Sequence, residues 1–283
     1  MKKIIVTLFL STLLINFSFG QGAYFRAGGG YGFPMASQVI GTNYLRTQPA
    51  NGSDTYSEES VKASYGAGMN ISLGGGYMFN ENIGFDLGIV YQKSKKNETS
   101  DINLEIGFGK EEDIITYQST ALFINPAFFI TSAKGSKTPY GKFGILAGSP
   151  KIKTVESYYY DLDGTYTQHN EWETRKGIAL GLQGTVGVNW MLTDKLDLFT
   201  EISFLSMSFY AKERELTVIT YNGVDAMPNQ QPYQKLTEFK KKLDPNAAFD
   251  ANKPWQALQE ASAYSALTFN VGIRYLLKGR MVN

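Results

Sequence analysis

The sequence predicts an all-β chain that forms an eight-stranded antiparallel up-and-down barrel. Eight segments alternate between apolar residues and small or polar residues with a period of two, as side chains on a β-strand do. The connections between these segments alternate between tight turns and long polar stretches. The apolar faces of the eight segments carry no charged residue, although Asp, Glu, Lys and Arg make up 19% of the chain.

Residues 1–20 have the pattern of a secretory signal peptide. Two lysines are followed by an apolar run and then by the small-x-small triplet Ser18-Phe19-Gly20, which resembles a cleavage site. The apolar run is shorter than the ~20 residues that a spanning helix needs, which disfavours an N-terminal membrane helix. We therefore expect a signal peptide at 1–20 and one barrel domain at 21–283.

Composition excludes several classes of protein. The chain has no cysteine, so it has neither disulfides nor thiolate metal sites. Its 27 Lys and Arg fall to 25 once Lys2 and Lys3 are removed, against 26 Asp and Glu. So neutral a balance gives no reason to expect a nucleic-acid partner. The 29 Gly, 18 Tyr and 18 Phe favour β structure, with a soluble β-sandwich as the alternative at this level.

The eight alternating segments follow one another along the whole mature chain. They lie at about 22–33, 64–79, 83–92, 114–130, 140–148, 178–192, 196–204 and 261–277. The glycines of the first segment (GAYFRAGGGYGF) lack the spacing of a dinucleotide-binding fingerprint, and no helical pattern follows them. We expect them to relieve crowding where a strand curves around a narrow barrel.

The connections fall into two groups. Three are short: 80–82, 131–139 and 193–194. Four are long and polar: 34–63, 93–113, 155–175 and 221–260. The second long stretch contains its own alternating run, which predicts strands that project beyond the barrel. In the fourth, the run TEFKKKL at 237–243 predicts a short helix.

The character of the two faces indicates which one meets which environment. A soluble half-buried sheet turns its apolar face to a core and its polar face to water. Here the second face is mainly Gly, Ala, Ser, Thr, Asn and Gln, which suits a cramped interior. A sheet in lipid must close on itself, and short turns opposite long loops are typical of outer-membrane barrels. The sequence therefore predicts a transmembrane barrel with short periplasmic turns and long extracellular loops.

Several short features resemble a known family. They are Asn125-Pro126 within a strand, Pro139-Tyr140 after a short turn, GILAG at 144–148 and the closing VGIRY at 271–275. On these features the chain is similar to the small outer-membrane β-barrels of the porin family that include the OmpA transmembrane domain and the OmpX-like and OmpW-like proteins. The resemblance implies a location in the outer membrane of a Gram-negative bacterium.

Six charged residues fall on the predicted inward faces. They are Arg26, Asp86, Lys142, Asp197, Glu201 and Arg274. Charges in a narrow interior must be paired and hydrogen-bonded, and an eight-stranded barrel is only wide enough for its own side chains or one small ligand. We therefore predict a salt-bridged interior network that holds the barrel shut, with a selectivity ring in a pore as the alternative. The sequence leaves open which acid pairs with Arg274.

The long loops offer one candidate contact surface and no catalytic motif. Tyrosines at positions 158, 159, 160 and 166 would suit contact with a partner, unless they pack on one another. The lone histidine, His169, lies among acidic residues, but neither G-x-S-x-G nor H-E-x-x-H occurs. The acids lack a Ca²⁺-loop pattern. We expect no enzyme activity, no cofactor and no metal.

Two functions follow from these expectations. The first is a structural and interaction protein, closed inside and presenting long loops at the cell surface. The second is a minor channel or a conduit for small or hydrophobic ligands of the OmpW kind. The expected partners are outer-membrane lipids, lipopolysaccharide and the outer-membrane assembly machinery; the sequence names no extracellular partner.

Overall fold

The computed structural model describes residues 22–48, 54–106, 109–132, 135–161, 164–244 and 248–278. The predicted signal peptide at 1–20 lies outside these residues. No helix within the described ranges is long and apolar enough to cross a lipid bilayer.

Strands make up most of the described chain. In order they are β1 (Gly22–Pro34), β2 (Gln38–Gln48), β3 (Thr55–Ala63), β4 (Gly68–Met78), β5 (Ile83–Ser94), β6 (Asn97–Ile106), β7 (Gly109–Thr131), β8 (Lys137–Gly148), β9 (Lys151–Asp161), β10 (Thr165–Arg175), β11 (Ala179–Met191), β12 (Leu196–Tyr210), β13 (Glu213–Tyr221), β14 (Val224–Asp225), β15 (Leu236–Lys240), β16 (Trp255–Leu258), β17 (Ala261–Ala263) and β18 (Ala266–Leu276).

Eight of these strands close into an antiparallel barrel, which confirms the predicted strand number and closure. Around the barrel the order is β1, β4, β5, β7, β8, β11, β12 and β18, and β18 pairs with β1 to close the cycle. Each barrel strand therefore lies beside the barrel strands that precede and follow it in the chain, which is an up-and-down arrangement. Closure leaves none of the eight with an unpaired edge along the barrel.

The two ends of the barrel differ. At one end, which we call the turn end, the predicted short connections join β4 to β5, β7 to β8 and β11 to β12. The side chain of Asn80 accepts hydrogen bonds from the backbone N–H groups of Asn82 (2.9 Å) and Ile83 (2.8 Å), which fixes the first of these turns. At the opposite end, which we call the loop end, the long polar stretches form further β-strands.

The barrel's outer face is apolar. Val186 and Phe128 are each 65% exposed, and Ile71 is 61% exposed. The same face includes the exposed residues Phe25, Met69, Leu73, Phe85, Leu87, Ile89, Leu122, Ile124, Phe143, Ile145, Leu180, Leu182, Phe204, Phe269, Val271 and Ile273. These are the residues that the period-two pattern assigns to the apolar faces, including those of the fourth predicted strand.

Beyond the loop end the sheet continues as an outer wall. β9 and β10 form a hairpin, β9 pairs with the upper half of β7, and β10 pairs with β13. On the outward face of this wall the apolar side chains give way to ion pairs, including Lys153–Glu171 (2.8 Å) and Arg175–Glu213 (2.9 Å). The exterior therefore changes from apolar to charged at the level where the barrel ends.

The polar stretches contain more strands than the sequence predicts. Strands that project from the second stretch are confirmed as β6 and the upper part of β7. The first stretch forms the hairpin β2–β3, and the third forms β9–β10, neither of which was expected.

The helix expected at 237–243 is wrong. Residues Leu236–Lys240 form β15, which pairs with β13 and runs parallel to β16, and a single helical turn, Pro232–Lys235, directly precedes it. Neighbouring parts of the chain supply backbone partners for this run: besides the pairing with β13 and β16, the N–H of Phe239 donates to the carbonyl of Lys212, just before β13, at 2.8 Å. Such tertiary pairing overrides a local helical preference.

The last predicted strand, 261–277, is interrupted. It consists of β17 and β18, and the two residues between them, Tyr264 and Ser265, are buried. The period-two pattern of the segment 261–277 assigns Ser265 to the apolar outer face with Leu267, and this assignment is wrong because Ser265 is buried. Its carbonyl accepts a hydrogen bond from the hydroxyl of Ser64 at 2.7 Å, and the Tyr264 ring turns into an aromatic cluster. These contacts hold the chain out of the regular pleat.

Inward-facing glycines make room for one large ring. A Cβ on Gly28 would lie 2.7 Å from the Phe199 ring, and Gly272, opposite Gly28 in the pairing of β1 with β18, also lies against that ring. A larger residue at either position would displace Phe199. These glycines therefore relieve crowding inside the barrel, as the sequence suggests.

Candidate functional site

The six predicted inward charges all lie inside the turn-end half of the barrel. Each is at most 9% exposed. They come from β1, β5, β8, β12 and β18, and three positive charges face three negative ones. The interior is therefore formally neutral, as a low-dielectric environment requires.

Glu201 is the centre of the larger group. One terminal nitrogen of Arg26 donates to both of its carboxylate oxygens, each at 2.9 Å. Lys142 Nζ lies 2.9 Å from Oε2, and the Tyr140 hydroxyl donates to the same oxygen at 2.8 Å. Two cations and a hydroxyl thus surround one carboxylate, which offsets the cost of burying it.

Asp86 extends this group across the barrel. Its Oδ2 accepts a hydrogen bond from the Tyr24 hydroxyl at 2.8 Å and lies 3.9 Å from Arg26 Nη1. The Arg26 guanidinium also lies over the Phe199 ring, 4.4 Å from its centroid. Arg26 is therefore held by two acids and one aromatic face.

Arg274 and Asp197 form a separate pair nearer the turn end. Arg274 donates from Nε (3.0 Å) and Nη2 (2.6 Å) to Oδ2 of Asp197, which is fully buried. The pairing of β12 with β18 places the two residues directly opposite each other. The Arg274 guanidinium lies 5.3 Å from the Tyr24 ring centroid, so Tyr24 touches both charged groups.

Three residues of this network were not among the predicted site residues: Tyr24, Tyr140 and Phe199. Tyr24 and Tyr140 supply hydrogen bonds to buried acids, and Phe199 supplies the ring beneath Arg26. Each lies two residues from a predicted inward charge on the same strand. The period-two pattern therefore contained the signal that could have found them.

An aromatic cluster closes the interior at the loop end. Tyr264 is fully buried and contacts Phe123 (6.4 Å between ring centroids), Phe209 (6.1 Å) and Tyr65 (5.5 Å). Its hydroxyl forms a hydrogen bond with that of Ser119. We call these four aromatic residues the aromatic plug.

Between the charge network and the aromatic plug the barrel contains little free space. The cavity there measures about 60 Å³ and is lined by both polar residues, such as Asn70 and Gln183, and apolar ones, such as Leu73 and Leu205. That volume holds a few water molecules at most. The described side chains thus fill the barrel at both levels.

The four loop tyrosines do not form one surface. Tyr158 and Tyr166 contact each other at 6.0 Å, and Tyr166 stacks on Tyr221. The Tyr158 hydroxyl donates to Glu111 at 2.7 Å, and this bond, with burial, raises the pKa of Tyr158 to about 12. Tyr159 lies next to Tyr158 in the strand and so points to the opposite face. Tyr160 follows on the same face as Tyr158. Tyr158 and Tyr166 therefore pack on one another, which was the alternative to contact with a partner.

His169 lies on the outward face of β10. Its Nδ1 is 3.3 Å from the hydroxyl of Ser157, and its Nε2 is 3.6 Å from a carboxylate oxygen of Glu171. Within the described ranges no group of three or more His, Asp or Glu side chains is arranged to hold a metal ion.

Comparison with known proteins finds no family model that matches the chain and no curated protein that matches it significantly. Function is therefore inferred from the geometry of the barrel.

Proposed function

We propose that this chain is an integral outer-membrane β-barrel protein of a Gram-negative bacterium, with a closed interior and a structural and interaction role at the cell surface. The observation that carries this proposal is the reversed polarity of the barrel. Its buried interior holds six charges, whereas its exposed exterior is a continuous apolar band. Soluble proteins rarely expose so large an apolar surface, because its contact with water is unfavourable.

The height of the band supports insertion into lipid. On β5 the outward residues from Ile83 to Tyr91 are all apolar or aromatic, a span of nine residues. A tilted membrane strand needs about 9–11 residues to cross the hydrocarbon region. The change to charged side chains on β9, β10 and β13 then lies at the level of lipid headgroups and water.

Aromatic side chains near the turn end support the same placement. Trp190 lies on the outward face close to that end, and its ring is 5.0 Å from the ammonium of Lys137. Phe79 and Tyr275 are exposed at the same end. Aromatic residues are enriched where a membrane barrel meets the headgroups. In this arrangement the turn end faces the periplasm, and the loop-end sheets face the outside of the cell.

The filled interior favours a closed barrel over a channel. The charge network and the aromatic plug occupy the interior in series, and the space between them is small. We assign the chain no catalytic role. Its proposed contacts are with outer-membrane lipids and lipopolysaccharide around the band, with the assembly machinery during insertion, and with an extracellular partner at the loop end.

Fractionation and gel mobility test the location. We expect the mature protein in the outer-membrane fraction, running faster on SDS gels before boiling than after, because a closed hydrogen-bonded barrel resists the detergent. Recovery in a soluble fraction, or identical mobility of folded and boiled protein, would contradict the proposal.

Conductance tests the closed interior. Purified protein inserted into planar bilayers should give no steady single-channel current. Regular current steps would instead support the channel function.

A further inference from the structure

A second, larger cavity lies at the loop end, above the aromatic plug. It is partly open to solvent, measures about 660 Å³ and lies between β7, β9, β10 and β13, with residues of β15 and β16 also lining it. Tyr65 of the aromatic plug and Ile152, which packs in the same cluster, line its inner end. The plug therefore separates this cavity from the barrel interior. We call it the loop-end cavity.

The lining of the loop-end cavity is mainly aromatic and aliphatic. Tyr117, Trp172, Phe239 and Trp255 contribute rings, and threonine hydroxyls lie between them. A volume of 300–1,000 Å³ with an apolar lining and a few polar groups is typical of sites for small organic ligands. The cavity could therefore enclose a small molecule with an apolar body.

One cation lines this cavity without an acidic partner. Of the five arginines in the described ranges, Arg26, Arg46, Arg175 and Arg274 each form an ion pair with a carboxylate. No described carboxylate forms one with Arg214, whose guanidinium lies 5.8 Å from the centroid of the Trp172 ring.

The neighbours of Arg214 explain why it lacks a partner. Glu213 and Glu215 flank it in β13, but the pleat turns them to the other face, where both bind Arg175. Two acids line the cavity too, and neither forms an ion pair with Arg214: the Glu156 carboxylate accepts a hydrogen bond from Asn170 at 2.6 Å, and Glu260 is exposed to solvent. The donors of Arg214 are therefore available to a ligand, beside an aromatic ring that holds the side chain in place.

We propose that the loop-end cavity binds a small amphipathic carboxylate. Its apolar body would pack against Trp172, Tyr117 and Phe239, and its carboxylate would pair with Arg214. A planar guanidinium binds a carboxylate through two parallel hydrogen bonds, which gives this anion an advantage over a neutral group of the same shape. The inference does not depend on where in the cell the barrel resides.

Three matched probes test the site: 4-phenylbutyrate, its neutral amide and the corresponding amine. The folded full chain is placed in nanodiscs of zwitterionic lipid, and empty nanodiscs correct for partition of each probe into lipid. Binding is measured by calorimetry and by tryptophan fluorescence. Two of the three tryptophans, Trp172 and Trp255, line the cavity, whereas Trp190 lies near the turn end. We expect the carboxylate to bind about tenfold more tightly than the amide, the ratio that one charge-assisted hydrogen bond supplies.

Substitutions separate the contribution of the Arg214 charge to binding from that of the apolar lining of the cavity. Arg214→Gln should remove the preference for the carboxylate and leave the affinity for the amide unchanged. Arg46→Gln, which removes a positive charge from a loop-end ion pair elsewhere, should leave both affinities unchanged. Equal binding of all three probes, tighter binding of the amine, no binding at all, or an unchanged preference in Arg214→Gln would each overturn the proposal.

Discussion

Arg26 and Glu201 lie 175 residues apart in the sequence and meet inside the barrel through two hydrogen bonds of 2.9 Å. Their strands, β1 and β12, do not pair with each other, since both pair with β18. The ion pair therefore links two strands that share no backbone hydrogen bonds. Because β18 bridges the two strands, the ion pair stabilises the closed arrangement of the barrel.

Glu201→Gln should destabilise the barrel strongly. Glutamine keeps the shape of the side chain but leaves Arg26 and Lys142 with one buried acid, Asp86, between them. Removing one partner of a buried ion pair costs about 3–5 kcal/mol in the free energy of unfolding. Urea unfolding of the protein in lipid measures this loss. Glu112→Gln, which breaks the part-exposed pair with Lys110, is the control and should cost less than about 1 kcal/mol. Equal effects of the two substitutions would show that the network adds nothing to stability.

Arg274 and Asp197 should behave as one unit. Arg274→Met preserves contact with the rings of Tyr24 and Phe129 but leaves a buried carboxylate without its cation, so we expect a loss of about 3–5 kcal/mol. Adding Asp197→Asn should restore part of that loss, because the second change removes the buried charge. A double-mutant cycle in the same urea assay measures the coupling. Additive losses would mean that the two side chains do not stabilise each other.

The sequence predicts the barrel because the pleat imposes a period of two on every strand. Ile124 and Asn125, for example, can be assigned to opposite faces without knowledge of their neighbours. The partner of Arg274 could not be predicted in this way. Three inward acids were candidates, and the choice depends on the register between β12 and β18, which alternation alone does not determine.

The loop-end structure was harder to predict for a related reason. β15 has no regular alternation, and its partners β13 and β16 are distant or separated by a long connection. Trp172 and Arg214 come together only because β10 pairs with β13 across a bulge between Glu171 and Trp172. The polar composition of these stretches resembles that of unstructured loops. The loop-end cavity thus had no signature in the sequence.

Asp113 should make the loop-end sheet less stable as the pH rises. Burial, together with the nearby acids Glu156 and Asp101, raises the pKa of Asp113 to about 6, whereas an unfolded aspartate titrates near ~3.9. The folded state therefore binds this proton more tightly. Its contribution is most favourable below about pH 4 and is lost as the pH rises to about 6.

Asp113→Asn should remove that dependence and increase stability at neutral pH. Urea unfolding followed by the fluorescence of the loop-end tryptophans, repeated between pH 4 and pH 8, measures it. The wild-type midpoint should fall over this range more steeply than that of the variant. Parallel profiles would show that Asp113 is not the group responsible.

The depth of the apolar band can be measured with arginine substitutions. Val186, 65% exposed, lies near the middle of β11, and Ile273 lies near the turn end on the same outer face. If the band is in lipid, Val186→Arg should cost about 2–4 kcal/mol, because it places a charge near the bilayer midplane, and Ile273→Arg about 0–1 kcal/mol. Refolding of each variant into thin and thick bilayers measures both penalties.

Two further variants distinguish a stability loss caused by lipid from losses with other causes. Thr185 is next to Val186 but points inward, where its hydroxyl lies 2.8 Å from that of Ser203. Thr185→Arg should therefore crowd the interior and cost the same in thin and thick bilayers. Ser60, exposed on β3 at the loop end, should tolerate arginine in either bilayer. Only the Val186→Arg penalty should grow with thickness, because only that charge moves farther from water. If the Val186→Arg penalty is the same in thin and thick bilayers, and the protein folds without lipid or detergent, the apolar band does not lie in a membrane.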